Sequence, residues 1–264
     1  MKLINFYIKD TTNVGDLTVS PFDYYDFDFP TERVDMRLLS DSMGLIRNNV
    51  LIFGGGGLIH LPSTDYNKGV IGYLEELCSS PARVRIAWGI GHNIHDTEYI
   101  EYPKYFLDSF DLIGRRDDIS CPGTDYVPCV SCKSKLIKKS KKIKHKTVIF
   151  AHGSGIDINL QVPKIDAPEC TFEEAIQFLS SAQNVITNSY HGAYWARLLD
   201  KNTIVYRPFS SKFHAISSDI TFCDDEFEVQ QAILNPKYNP KYLSACRRRN
   251  DAFFKKVSRY IASL

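Results

Sequence analysis

The stretch that decides the fold is Val185–Asp200, "VITNSYHGAYWARLLD". Val185, Ile186 and Thr187 read as the end of a buried strand, because short runs rich in β-branched residues suit a pleated, enclosed position. The last ten residues read as a helix. Between them stands Asn188-Ser189-Tyr190-His191-Gly192, where a plain connection needs one cap and one turn residue. A hydroxyl, a phenol and an imidazole at a strand-to-helix junction can hold an anion and move a proton.

The same unit recurs along the chain. "NNVLIFGGGGLIH" reads as a strand, Val50 to Phe53, running into a loop of four glycines, Gly54, Gly55, Gly56 and Gly57. "RVRIAWGIGHN" is a strand from Val84 to Trp88 ending at Gly89-Ile90-Gly91-His92. "FDLIGRRDDIS" leads into Gly114-Arg115-Arg116-Asp117, and "KTVIFAHGSG" into His152-Gly153-Ser154-Gly155. Phe172, Ala175, Ile176 and Leu179 have helical spacing. Thr171 and Glu174 form a capping-box signature ahead of them. Strands alternating with helices predict an α/β fold with parallel sheets covered on both faces. Ligands of such sheets bind at the carboxyl ends of the strands, which is where these polar loops fall.

At 264 residues, 44% hydrophobic and 24% charged, the chain has a globular composition and can bury one large core or two medium ones. A net charge of +1 provides no global field for nucleic acid or membrane. No apolar run reaches the roughly 18–20 residues of a membrane span. "MKLINFYIKD" reads as a first strand and not as a signal peptide. Seven scattered cysteines predict reduced thiols in a cytoplasm. The pair in "CVSC", Cys129 and Cys132, has zinc-like spacing, with Cys121 and His145 as partners of no recognised spacing; buried structural thiols are the default reading.

A lysine-rich stretch, Lys133 to Lys146, divides the chain. It predicts two Rossmann-like domains, residues 1–132 and 147–240, joined by a basic connection at 133–146. A C-terminal helix within 241–264 packs back through Phe253, Phe254, Val257, Tyr260, Ile261 and Leu264. The connection reads as a solvated linker; the sharper alternative is a patch for anionic lipid or polyanionic glycan, a peripheral contact at the inner face of a membrane. "GGGGLIH" is neither G-x-G-x-x-G nor a Walker A loop, and a tight turn with no ligand is its plain alternative.

Four segments in order, "NVGDL" (Asn13 to Leu17), "FGGGGLI" (Phe53 to Ile59), "GRRD" with Ser120 after it, and "ITNSYHGAYWA", resemble the polysaccharide pyruvyl transferase family. "VPCVSC" resembles one branch of it. Each motif is weak singly; the order over residues 13 to about 200 carries the likeness. The resemblance implies a fold similar to two-domain B-type glycosyltransferases, with the acceptor on the N-terminal side and the donor on the C-terminal side. It implies transfer of a pyruvyl group from phosphoenolpyruvate to a sugar hydroxyl pair, giving a ketal, in exopolysaccharide or capsule synthesis. The partners are then a small-molecule donor and a soluble or lipid-linked glycan acceptor in the cytoplasm. No nucleic acid, redox cofactor or obligatory metal is expected.

Carried over by position, the resemblance implies His191 as general acid/base and Asp16 near the acceptor or orienting a donor contact. Arg116 would hold donor phosphate or carboxylate. Asn188, Ser189, Gly192, His152, Gly153 and Ser154 complete the donor side. Asn13, Gly15 and Gly54 to Gly57 let backbone approach the ligand. Ser189 stands where better-known members have an arginine two residues before the histidine, and a hydroxyl cannot replace a bidentate clamp. Lys212 or Arg207 is expected to supply that charge. The alternatives are glycosyl transfer from a nucleotide sugar and a non-catalytic glycan-binding protein. Residue by residue, the plain readings are a cap or packing residue for His191, an ion pair for Arg116, a helix cap for Asp16 and a polar loop residue for His152. His92 and His95 are expected to be structural or exposed.

Overall fold

The computed structural model describes residues 1–9, 12–59, 65–93, 104–117, 120–139, 142–153, 155–213, 216 and 219–264. Ser154 and His95 therefore lie outside the described residues. The first sheet holds β1 (Leu3–Tyr7), β2 (Thr31–Asp35), β3 (Val50–Ile59), β4 (Val84–His92), β5 (Leu112–Arg115) and β6 (Asp125–Tyr126) in the order β2-β1-β3-β4-β5-β6. The second holds β7 (His145–Ala151), β8 (Lys164–Asp166), β9 (Ala182–Thr187), β10 (Asn202–Tyr206) and β11 (Thr221–Cys223) in the order β11-β10-β9-β7-β8. All their strand pairings are parallel. The helices are α1 (Leu39–Ile46), α2 (Asp65–Ser79), α3 (Lys104–Ser109), α4 (Phe172–Ser180), α5 (Tyr190–Leu198), α6 (Glu226–Leu234) and α7 (Tyr242–Ala262).

The two sheets share one topology. In each, the second strand lies on one side of the first and the third on the other. The strand order thus reverses between β1 and β3, and again between β7 and β9. Such a switch point leaves a crevice at the strand ends, because the flanking connections leave on opposite faces. Its walls here are the segments after β1 and β3 in one sheet and after β7 and β9 in the other.

The glycine run differs from the expected loop. Gly54 to Gly57 continue β3, which pairs with β4 as far as Ile59 and His92 across a register shift. Gly56 has φ +103°, a left-handed conformation open to a residue with no Cβ, and the register shift follows it between Gly57 and Ile59. Gly89 to His92 likewise remain in β4. The capping box of α4 is present: Thr171 Oγ1 accepts from Glu174 N, and the Glu174 carboxylate accepts from Thr171 N.

The sheets meet through apolar packing. Tyr7, Val14 and Val19 join Tyr190, Trp195 and Phe213 in one cluster with Cys129 and Cys132. Helix α7 spans both cores, with Cys246 in that cluster and Phe253, Val257 and Ile261 against Trp88. Leu264, expected on the buried face, is exposed, since the helix ends at Ala262. The lysine-rich stretch is tied down more than a solvated connection would be. Ile137 is buried, Lys133 pairs with Asp251, Lys139 pairs with Asp200, and β7 already begins at His145. Among the described residues no helix is long and apolar enough to cross a membrane.

Candidate functional site

Both switch points open on one cavity of about 80 Å³. The first sheet contributes Ile8, Asn13, Asp16, Gly55 to Leu58, Asn93 and Arg116; the second contributes His152, Ser189, Tyr190, His191 and Lys212. Residues from seven separate stretches of the sequence converge there.

Arg116 follows β5 and is buried at 3% exposure. Its guanidinium lies 4.0 Å from the Tyr190 ring centroid, a cation–π stack that orients it without neutralising it. Its Nε has no hydrogen-bond partner. No acidic side chain among the described residues forms an ion pair with it. The ion-pair alternative is thereby set aside. The glycines explain how so large a group fits. A Cβ on Gly57 would stand 2.9 Å from an Arg116 terminal nitrogen, and one on Gly91 would stand 2.7 Å from Arg116 Nε. Neighbouring Asp117 accepts from His92 N at 2.9 Å and meets His92 Nδ1 at 2.7 Å. Burial pushes that carboxyl up, but the His92 contacts and the Arg116 charge outweigh it and the net shift is down. His92 is therefore a structural partner, as expected.

Helix α5 supplies the opposite wall. Ser189 caps it, its Oγ accepting from Gly192 N at 3.2 Å. The amides of Tyr190 and His191 precede the first intrahelical bonds and are what a helix N-terminus offers an anion. The His191 ring lies directly over Gly15, where any Cβ would overlap Nδ1. Nε2 points the other way, 3.8 Å from the Cys129 sulfur. Burial, then the charges of Arg116, Lys212 and His152, hold this imidazole well below its ordinary pKa. The ring is therefore uncharged near neutral pH.

Lys212 completes the set. Burial and Arg116 lower its ammonium to about 8, with Asp16 acting in the opposite sense. Asp16 is held by Asn13 Nδ2, which donates to Oδ2 at 2.9 Å. Two cations, one carboxylate, two imidazoles and a helix N-terminus thus share one small space.

Several expected residues stand elsewhere. Gly192 does not line the cavity: a Cβ there would meet Phe150 and Thr187 at 2.6 Å, so its bare Cα serves the packing of α5 on its own sheet. Gly54 packs against the Trp88 carbonyl and Pro21, and Gly15 lies beneath His191. Asn188 spends its amide on the chain, donating to His152 O and Gly155 O and accepting from His152 N. It clamps the loop after β7, and with Gly153 it lines a second cavity. Arg207 also lines that cavity, so Lys212 is the cation beside Ser189. Tyr190 forms part of the site through its stack against Arg116. Sequence reasoning missed Asn93, whose Oδ1 accepts from Ser210 Oγ at 3.0 Å across the two sheets. It also missed the contact of Cys129 with His191. Neither pairing has a local sequence signal, since the partners are 117 and 62 positions apart.

Fold and cavity together define a two-sheet α/β protein whose cleft is walled by the strand ends of both sheets. A family model for polysaccharide pyruvyl transferase matches residues 4–208, and the chain belongs to that family. Membership makes it a transferase of polysaccharide biosynthesis. No curated protein matches the chain.

Proposed function

We propose that the chain transfers the pyruvyl group of phosphoenolpyruvate to two hydroxyls of a sugar, forming a ketal and releasing inorganic phosphate. The observation that carries this reading is the buried, unpaired Arg116 beside Lys212, facing the capped N-terminus of α5 and His191 in one cavity. Phosphoenolpyruvate brings a phosphate and a carboxylate on adjoining atoms. Arg116, Lys212 and the first amides of α5 suit those two anions.

The bond changes set the requirements. A proton adds to the methylene carbon, and positive charge develops at the adjacent carbon. Two sugar oxygens bond to that carbon, and its bond to the phosphate oxygen breaks. Of the two hydroxyl protons, one balances the new methyl group and the other leaves with phosphate. His191 receives a hydroxyl proton in its neutral form. The donor's negative charge, once bound, offsets Arg116 and Lys212 and raises the imidazole pKa, so the same ring then holds and delivers a proton. Asp16 stabilises positive charge on the opposite side.

Thermal shift of the whole chain with phosphoenolpyruvate, and separately with a panel of nucleotide sugars, tests the reading. Stabilisation by phosphoenolpyruvate that is lost in Arg116→Gln is the expected result. Stabilisation by a nucleotide sugar alone would establish glycosyl transfer in its place.

A further inference from the structure

A second cavity, about 580 Å³, lies at the carboxyl ends of β7, β9 and β10. His152 lines both cavities, so the two share a wall. The second contains a cation of its own. Arg207 follows β10 with φ +48°, a left-handed conformation that disfavours a side chain as large as arginine. Its guanidinium is braced: Nε donates to Asp224 O at 3.0 Å, and Cζ lies 4.9 Å from the Tyr206 ring centroid. The side chain is exposed, and its terminal nitrogens form no hydrogen bond or ion pair among the described residues. Asn or Gly would adopt that backbone at less cost.

The rest of the cavity suits a sugar ring. Phe209 is 36% exposed, with the Lys212 ammonium 4.5 Å from its ring centroid and Phe213 edge-on at 5.6 Å. An aromatic ring fixed by such contacts at a cavity wall can pack against the C–H face of a pyranose. Asp157, at the rim, is exposed and can accept from hydroxyls.

We infer that this cavity, which lies on the second sheet and not on the N-terminal side expected for the acceptor, is the acceptor subsite, and that it takes a sugar ring bearing an anionic substituent, a carboxylate or a phosphate, held by Arg207. The ring lies on Phe209, and its reacting hydroxyls face the shared wall at His152. Donor and acceptor anions then have separate cations, Arg116 with Lys212 for one and Arg207 for the other. The term acceptor rests on the pyruvyl-transfer reading; the sugar site itself does not.

The test is direct binding to the whole chain without donor, by calorimetry or ligand-observed NMR. The probes are glucose, glucuronate, galacturonate, glucose 1-phosphate, galactose 1-phosphate and inorganic phosphate. At least one acidic or phosphorylated sugar is expected to bind tenfold or more tighter than glucose. Whether uronates or sugar phosphates prevail identifies the anion. Arg207→Asn, which keeps the left-handed backbone accessible and removes the charge, is expected to abolish that preference. Phosphoenolpyruvate binding should stay within twofold. Binding by none of the sugars overturns the inference. So does equal, Arg207-dependent binding of inorganic phosphate, which would mean an adventitious ion only. A wild-type chain that binds an acidic sugar through Arg207 but not phosphoenolpyruvate would sink the pyruvyl donor and leave the sugar site standing.

Discussion

The two sheets repeat one topology and present opposite things at their switch points. The first, between β1 and β3, offers close backbone: Gly15 beneath His191, the glycine-rich end of β3, and Arg116 seated in the space that Gly57 and Gly91 leave. The second, between β7 and β9, offers functional groups on a helix start: Ser189 as cap, His191, and the loop of His152. One sheet makes room and the other fills it. Topology alone therefore does not assign chemistry to a switch point; the side chains at its strand ends do.

The largest effect that sharpens this contrast is expected at His191. His191→Ala should lower turnover by about a hundredfold or more with the fold intact, the usual worth of a positioned acid/base. His191→Asn should not restore it, since an amide does not titrate near neutrality. Steady-state rates with phosphoenolpyruvate as donor check this. Near-wild-type turnover in His191→Asn would make the residue a positioning group.

Arg116 comes next, on the other sheet. Arg116→Gln should weaken donor binding by about 1.5–3 kcal/mol, the range of a charge-assisted contact, read by calorimetric titration. An unchanged affinity would remove Arg116 from the donor site.

The glycines allow a paired comparison. Gly15→Ala forces the His191 ring to move, and Gly192→Ala forces a Cβ against Phe150 and Thr187. Both should cost about 1–3 kcal/mol of stability by overpacking. Only Gly15→Ala should also cut turnover per folded molecule, by about tenfold or more, because it displaces a reacting group. Denaturant melts alongside rates measure both. Equal catalytic losses would show that the two glycines do not divide as the structure divides them.

The smallest effect is a pH limb. Lys212 has its pKa lowered to about 8 in the folded protein, so its charge is present below that pH and lost as pH rises through it. The catalytic efficiency kcat/KM for donor should fall by severalfold above pH about 8, and Lys212→Arg should abolish the fall. Depression of the His191 pKa has the opposite consequence: protonation of the free imidazole should not reduce kcat/KM until pH is well below 6.5. A pH profile of both proteins tests the two signs together.

Much of this was legible before any coordinates. Alternation of β-branched runs with amphipathic stretches requires parallel sheets, because only a sheet buried on both faces uses unbroken apolar strands. The Thr171–Glu174 box and the Ser189 cap are local, set by residues three positions apart, and such features survive translation into structure. The ordered motifs brought His191, Arg116, Asp16 and Ser189 to attention together, and they do share one cavity. What lay beyond the sequence is everything decided by contact between distant segments. That the glycines stay in β3 depends on β4 running alongside. That Gly192 serves packing depends on Phe150 behind it, and that Lys212, not Arg207, lines one cavity with Ser189 depends on how the chain turns after β10. The depressed pKa of His191 arises from burial and from charges brought in by three other segments. Local pattern fixes which groups a strand end carries. Only the closure of the two sheets on one another decides which of those groups meet, because their separation in the chain carries no record of their separation in space.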